Sequence, residues 1–450
     1  MYKFTSFLKI ASIVLVFLIV SCQKSNINEP TYQANQFTND IVTNWVDISL
    51  DLVRTTPGYS PPVASRSFGL LGITMYESVV QGMSGYKSLS GQVTNLPTMP
   101  KIDQNKLYHW SICANAAAYE ILTKLFPTAN NDMKKIMQLT YENNLSKYKT
   151  GLDPLVIDQS IVLGKSVANT VYNWSTTDNI GNEGYLKNFP ASYVTPVGES
   201  FWVPTSAQLI PLQPYWGQAR SFIPNIVNQI TIPKNPTFST DINSLFFEKA
   251  HDVYTTVNEK NPTYMKIAFY WADDAGTTFT PPGHVVSITS QIIKEQKLDL
   301  GRAAEAIARV GMCVGDAFIC CWKTKYDNNL LRPVSYIQKY IDPTWKTQLN
   351  TPPFPSYTSG HASCSGAGFD MLTYLFGENY TFVDNSHKLK FDQGDKNFEP
   401  RTFSSFKSAA EEAALSRLYG GIHYDFDNIA GLESGRAIAK KNFETIITKQ

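Results

Sequence analysis

Three short segments in the last third of the chain carry residue types that could together bind a small anion. The first contains Lys325 and, after six intervening residues, Arg332. The second is the tripeptide Ser359-Gly360-His361, which directly precedes an apolar stretch. A guanidinium offers a planar fork of donors that suits tetrahedral oxyanions, and a lysine adds a compact positive charge. These residue types predict an oxyanion site.

The third segment supplies a further cation, a second histidine and a carboxylate. Arg417 is followed after five intervening residues by His423, and after three more by Asp427. A histidine can act as nucleophile, ligand or general acid/base. Asp427 is one helical turn beyond His423, so its carboxylate could accept a hydrogen bond from the imidazole and orient it. Each segment alone is unspecific, because a Ser-Gly-His usually only caps a helix, but the three in this order are specific.

The Ser-Gly-His segment is predicted to open a helix. A helix N-terminus presents backbone N–H groups without partners and a partial positive charge, which together favour an anion. Gly360 would let the anion approach the backbone closely. Ser359 could cap the helix or donate its hydroxyl to an oxyanion. His361 then becomes the second histidine of the site.

Together the segments resemble the signature of the type 2 phosphatidic acid phosphatase and vanadium haloperoxidase superfamily, K-x6-R-P, S-G-H and S-R-x5-H-x3-D. Thr358 departs from it, since a proline usually stands there and shapes the turn. The resemblance implies a helical bundle and an enzyme. It also implies an oxyanion cradle made of Lys325, Arg332, Ser359, Gly360, Arg417 and His423.

The signature leaves two reactions open. In the phosphatase branch, the resemblance makes His423 the nucleophile and His361 the acid that protonates the leaving group. In the haloperoxidase branch, His423 ligates the vanadium of a vanadate cofactor and the other cradle residues hydrogen-bond its oxygens. His361 is then the acid/base, and Lys325 activates the site as hydrogen peroxide oxidises a halide to hypohalous acid. Asp427 orients His423 in either case.

Two aromatic residues favour the haloperoxidase. Trp322 lies three residues before Lys325, and Phe354 lies five before Ser359. The chain resembles fungal vanadium chloroperoxidases in carrying Trp and Phe at these positions, near the halide. Packing in the core is the alternative role for both. Resemblance to bacterial relatives, including iodoperoxidases, favours iodide or bromide as the halide.

The composition excludes some partners. The 39 basic residues nearly balance the 38 acidic ones, for a net charge of +1, and this argues against a nucleic-acid partner. Residues 1–21 have the charged start and short apolar run of a signal peptide, and Cys22 stands where a bacterial lipoprotein is lipidated. The polar residues 22–36 are then a tether. We therefore expect an exported lipoprotein, attached to a membrane only through its lipid. A non-enzymatic carbohydrate-binding lipoprotein would share these features, but it has no need for the cradle.

Apolar periodicity indicates helices through most of the chain, and strand-like alternation is scarce. We predict an all-α fold of about ten helices in one domain, residues 37–450, with the catalytic part near 300–450. Residues 175–236 show no period and are predicted to be an ordered, irregular connection. Lys325 is expected just after a long helix. The predicted helices are 37–54, 68–81, 107–126, 131–148, 154–174, 243–258, 285–296, 301–321, 361–375, 406–419 and 429–449.

Overall fold

The computed structural model describes residues 32–449, and this part of the chain is mostly helical. It holds fifteen α-helices and one antiparallel pair of short strands, so the all-α prediction is confirmed. The strands are β1 (Phe382–Asp384) and β2 (Arg401–Phe403). The helices are α1 (Asp40–Thr55), α2 (Pro61–Val79), α3 (Trp110–Leu125), α4 (Asn131–Lys149), α5 (Pro154–Thr176), α6 (Ile226–Gln229), α7 (Leu245–Asn258), α8 (Pro262–Tyr270), α9 (Thr280–Glu295), α10 (Leu300–Asn328), α11 (Pro333–Tyr340), α12 (Gly360–Phe376), α13 (Lys388–Asp392), α14 (Phe406–Tyr419) and α15 (Asp425–Thr445).

The start of the folded domain differs from the sequence prediction. The signal segment 1–21 and Cys22 lie outside the described residues. Residues 32–36, which the sequence assigned to the tether, pack on the domain instead. Ala34 is fully buried, and the carbonyl of Tyr32 accepts a hydrogen bond of 2.6 Å from the indole Nε1 of Trp110. Any tether is therefore shorter than the predicted 22–36.

Helices α2 and α10 cross at the centre of the core. Their backbones come close because glycine stands at the crossing on both helices. A Cβ atom added at Gly72 would lie 2.7 Å from the Cα of Ala308, and one at Gly311 would lie 2.8 Å from the carbonyl oxygen of Phe68. Such distances are below van der Waals contact, so larger residues would force the helices apart. The crossing fixes α10, whose last turn reaches the site.

Helices α12 and α15 pack together equally closely, and this contact joins the second and third segments. A Cβ atom added at Gly435 would lie 2.3 Å from the carbonyl oxygen of Ser363. At the start of both helices, the backbone N–H of Ser359 donates to the carbonyl of Asp427 at 3.0 Å. The Ser-Gly-His tripeptide is therefore held beside the His423–Asp427 pair.

The predicted end of α10 was wrong. The apolar pattern placed it at Cys321, but the helix continues to Asn328 and Lys325 lies in its last turn. Asn329 terminates it in the left-handed conformation, with φ of 49°, and its N–H donates to the carbonyl of Lys325. The sequence pattern failed here because the last turns carry polar residues, among them the buried Lys325.

The short elements escaped prediction, while the irregular connection was found. Helices α6, α8, α11 and α13 have four to nine residues, too few to establish a period. Helix α2 begins at Pro61, ahead of the predicted Phe68, with proline in its first turn. Between α5 and α7, α6 and two short 3₁₀ turns interrupt an otherwise irregular chain that packs on α10.

Within residues 32–449, the cysteines are buried free thiols. In the same range, none of the helices is long and apolar enough to cross a membrane. The thiols are Cys113, Cys313, Cys320, Cys321 and Cys364.

Candidate oxyanion site

The three segments meet at a cleft with a volume of about 1220 Å³. The last turns of α10 and α14 and the first turns of α12 and α15 converge on it. The connection before α9 contributes Asp273 and Asp274. The sequence-predicted residues that border the cleft are Trp322, Phe354, Gly360, His361, Arg417 and His423.

Arg332 lies immediately before α11, behind His423, and is completely buried. Its Nε donates to the carbonyl of Phe354 and its Nη1 to that of Ile422, each at 2.8 Å. Nη1 is also 3.1 Å from Nε2 of His423. Burial lowers the pKa of Arg332 to about 9, which leaves the group charged at neutral pH. A permanent positive charge therefore faces His423.

His423 and Asp427 form the pair that the spacing predicted. Nδ1 of His423 lies 2.8 Å from Oδ2 of Asp427. The same oxygen accepts bonds from the hydroxyl of Ser356, at 2.6 Å, and the backbone N–H of Tyr424, at 3.2 Å. Burial, reinforced by the nearby charge of Arg332, lowers the pKa of His423 well below its usual range. His423 is therefore neutral, with its proton on Nδ1 and the lone pair of Nε2 directed at the cradle.

Asp427 has an unusual protonation equilibrium because it is fully buried. Burial raises the pKa of Asp427 to about 6, while the hydrogen bond from Ser356 opposes that rise. No sequence motif pointed to Ser356, three residues before Ser359. Its place between the ring of His423 and the carboxylate depends on the path of a loop, which no local pattern shows.

The contacts of Lys325 differ from the direct anion contact that the resemblance implied. Its Nζ donates to the carbonyls of Pro355 and Ser356, each at 2.9 Å, and to that of Thr358. All three ammonium protons are thus used inside the protein. Burial lowers the pKa of Lys325 to about 7. In this arrangement Lys325 holds the loop ahead of α12 and acts on the cleft through its charge.

The start of α12 leaves room for a ligand. Ser359 is the N-cap, and its Oγ accepts from the N–H of Ala362 at 3.3 Å, as predicted. A Cβ atom added at Gly360 would lie 3.5 Å from the ring of Trp322, an ordinary contact. Packing therefore does not require glycine at this position. The absent side chain instead opens the helix N-terminus to the cleft.

His361 and Arg417 lie on the cleft wall. Burial, together with the charge of Arg417, lowers the pKa of His361 well below its usual value, so this imidazole is neutral as well. Nη1 of Arg417 donates to the backbone carbonyl of Trp271 at 2.9 Å. Burial lowers the pKa of Arg417 to about 10, and the group keeps its charge. Trp271, between α8 and α9, was not predicted from the sequence.

Three buried nitrogen atoms of the cradle have no hydrogen-bond partner within residues 32–449. They are Nη2 of Arg332, Nε of Arg417 and Nε2 of His361. Buried polar groups are normally satisfied, so such a group of orphans indicates a missing ligand. Two guanidinium donors, a helix N-terminus and a neutral imidazole suit a tetrahedral oxyanion. The residues present therefore fit vanadate, and they fit phosphate equally well.

Trp322 and Phe354 both pack and border the cleft. Trp322 is 1% exposed, its Nε1 donates to the carbonyl of Leu212 at 3.2 Å, and its ring centroid is 5.0 Å from that of Phe354. Nζ of Lys325 lies 5.0 Å from the Phe354 centroid. The aromatic pair thus forms an apolar wall beside the cations.

Vanadium haloperoxidases are among the known proteins that this chain resembles. The family model described as the VCPO second helical-bundle domain matches residues 305–449. The chain is 30% identical to the vanadium chloroperoxidase of Curvularia inaequalis over 227 residues, which are 38% of this chain and 37% of that protein. The chain is thus matched to well under half of this curated relative's length.

Solved structures extend the likeness. The structure described as the first bacterial vanadium-dependent iodoperoxidase matches with a TM-score of 0.82 and 29% identity, over 92% of this chain and 98% of that one. A holo-type bacterial vanadium-dependent chloroperoxidase matches with a TM-score of 0.66 and 13% identity, over 88% and 93%. This second match shows the fold alone. The family model spans the cradle segments, and the iodoperoxidase is similar to this chain over nearly the whole fold.

Proposed function

We propose that this chain is a vanadate-dependent haloperoxidase that oxidises a halide with hydrogen peroxide to hypohalous acid. The observation that carries the proposal is the buried cradle itself: Nε2 of His423 lies 3.1 Å from Nη1 of Arg332, and Nη2 of Arg332, Nε of Arg417 and Nε2 of His361 have no partner within residues 32–449. A neutral imidazole is the form that binds a metal.

The side chains have distinct roles in this proposal. His423 would hold vanadium through Nε2, and Asp427 keeps the His423 proton on Nδ1. Arg332, Arg417 and the N-terminus of α12 would neutralise the vanadate oxygens. When bound, vanadate supplies Lewis-acid activation of hydrogen peroxide.

Proton transfer and halide access fall to the cleft wall. His361, neutral and with Nε2 unpartnered, would accept a proton from peroxide and return it to the departing oxygen. Trp322 and Phe354 would border the halide and exclude water. Lys325 would add positive charge beside the cradle, and it would hold the loop ahead of α12 in place.

Iodide or bromide is the proposed halide. The support is the match to an iodoperoxidase over 92% of the chain. The alternative is an acid phosphatase, exported like the haloperoxidase, in which His423 attacks phosphorus and His361 protonates the leaving group. The same cradle would serve it, while the apolar wall of Trp322 and Phe354 favours the halide reaction.

One experiment separates the two reactions. The purified protein is incubated with orthovanadate, hydrogen peroxide and each halide in turn, and with a phosphomonoester in a parallel sample without vanadate. We expect vanadate-dependent oxidation of iodide or bromide and no turnover of the phosphomonoester. Phosphate release without halide oxidation would overturn the proposal in favour of the phosphatase.

We also propose that the protein is exported and lipid-anchored through Cys22. The support is the sequence of the N-terminal segment alone. In a bacterial host, the wild type should fractionate with membranes and Cys22→Ser should not. Equal membrane association of both proteins would count against the anchor.

A further inference from the structure

A second buried polar cluster lies beside the cleft, outside the cradle. It consists of Asp273 in the connection between α8 and α9, His284 in α9, Asp384 at the end of β1, and His387 just before α13. Each of these side chains is at most 3% exposed. The fold brings them together from segments about a hundred residues apart, and burial of four ionisable groups is unusual enough to need a cause.

The geometry of this Asp273 cluster is compact. Nδ1 and Nε2 of His284 lie 2.8 Å from the carboxylates of Asp273 and Asp384 respectively. Nε2 of His387 is 3.3 Å from the other oxygen of Asp273, yet within residues 32–449 it makes no hydrogen bond. Ligand atoms of Asp273, His284 and His387 all lie within 4.8 Å of one another. Nitrogen and oxygen ligands lie about 2.0–2.2 Å from a tetrahedral zinc ion, so their mutual separations of about 3.3–3.6 Å fall within this limit.

The contacts within the cluster leave one ligand atom unused. Both ring nitrogens of His284 are taken by carboxylates, and Asp273 also lies near the charge of Arg417. Nε2 of His387 is buried and lies beside Asp273, but it has no hydrogen bond within residues 32–449. Buried polar groups are normally hydrogen-bonded, and buried charges are paired or coordinate a metal. A metal ion held between Asp273, His284 and His387 would satisfy this nitrogen.

We propose that the Asp273 cluster binds a divalent transition-metal ion, zinc by its ligand types, through Asp273, His284 Nδ1 and His387 Nε2. Binding displaces the Nδ1 proton of His284 to solvent. The Nε2–H of His284 continues to donate to Asp384, which orients the ligating ring as outer carboxylates do at other zinc sites. Asp273 also borders the cleft, so the fourth position can hold water.

The ion would brace the neighbouring cradle. The ring of Trp271 stacks on His284, with centroids 4.4 Å apart, and the carbonyl of Trp271 holds Arg417. Linking the connection that carries Asp273 to α9 and to the turn after β1 would fix this carbonyl. The inference stands on the cluster itself and does not depend on the proposed halide reaction.

Zinc binding to the full chain tests the site. The purified protein is stripped with a chelator and titrated with zinc alone, and bound metal is counted by mass spectrometry. His387→Ala removes a ligand that makes no hydrogen bond in the structure, and His251→Ala, an exposed histidine on α7, is the matched control. We expect one zinc per chain for the wild type and the control, and none for His387→Ala. Asp384→Asn should bind zinc about 10–100-fold more weakly.

A thermal melt keeps the test decisive. Zinc should raise the melting temperature of the wild type and of His251→Ala, and should leave that of folded His387→Ala unchanged. If His387→Ala does not fold, the wild type alone decides through its zinc stoichiometry. A wild type that takes up no zinc, or a His387→Ala variant that binds like the wild type, would overturn the site and leave a charged imidazole between two carboxylates.

Discussion

Asp427 decides which nitrogen of His423 carries the proton, and Asp427→Asn tests that role. Its Oδ2 accepts from His423, Ser356 and the backbone of Tyr424, while its buried Oδ1 has no partner within residues 32–449. With the amide oxygen at the Oδ2 position, the three bonds persist, but they are weaker and a buried NH₂ is left unsatisfied. With the amide reversed, an N–H faces His423, and the histidine proton must move to Nε2. The Nε2 lone pair is then lost.

The size of the effect follows from these contacts. Removing an outer-shell partner of a ligating histidine typically costs about 10–100-fold in metal affinity. That range corresponds to about 1.4–2.7 kcal/mol, similar to the about 1.5–3 kcal/mol of a hydrogen bond to a charged group. We therefore expect the half-saturating vanadate concentration of Asp427→Asn to rise about 10–100-fold. If the reversed amide dominates, the maximal rate falls as well.

The assay titrates vanadate-free enzyme with orthovanadate at fixed peroxide and iodide. Asp425→Asn is the matched control, since it removes a carboxylate two residues away in the first turn of the same helix, where Asp425 is only half-buried. The control should titrate within about twofold of the wild type. Wild-type half-saturation and maximal rate in Asp427→Asn would refute the assigned role of the carboxylate.

Three further predictions follow from the packing. Gly360→Ala should leave the melting temperature nearly unchanged, because its Cβ makes only an ordinary contact, but should weaken vanadate binding; a vanadate titration with undiminished affinity would contradict the open helix end. Gly435→Ala should lower the free energy of unfolding by about 1–3 kcal/mol in urea, because its Cβ would overlap the backbone of α12. Burial raises the pKa of Asp316 to about 7 from 3.8, so its contribution to stability is complete below pH 3.8 and is lost as the pH rises through 7. Asp316→Asn should remove up to about 4 kcal/mol of this pH dependence. Urea unfolding at several pH values measures it, and a free energy of unfolding that changes with pH as in the wild type would disprove the prediction.

Much of the site could be predicted because the residues within each segment lie close in sequence. The four-residue step from His423 to Asp427 and the cap at Ser359 are local features, and both side chains contact the groups that their spacing predicts. The anchoring of Lys325 by loop carbonyls could not be predicted, since it depends on how residues 355–358 fold back over α10. A sequence pattern indicates which residues are neighbours along a helix, but it does not show the path of a loop.

The fold shows the same division. Long amphipathic helices such as α4 and α5 have enough turns to display a period, and they were found nearly to the residue. Short helices and the β1–β2 pair depend on tertiary contacts for their stability, so their sequences carry no clear signal. The Asp273 cluster was hidden for a related reason. Its histidines and carboxylates are a hundred residues apart, and only the packing of α9 against the turn after β1 joins them.

The position of the vanadium atom tests the proposed site most directly. Crystals grown with orthovanadate, measured at the vanadium absorption edge, would give an anomalous peak at its position. We expect a single peak at bonding distance from Nε2 of His423, with Arg332 and Arg417 contacting the vanadate oxygens, and no peak in His423→Ala. A peak away from His423, or one that persists in His423→Ala, would contradict the proposed site.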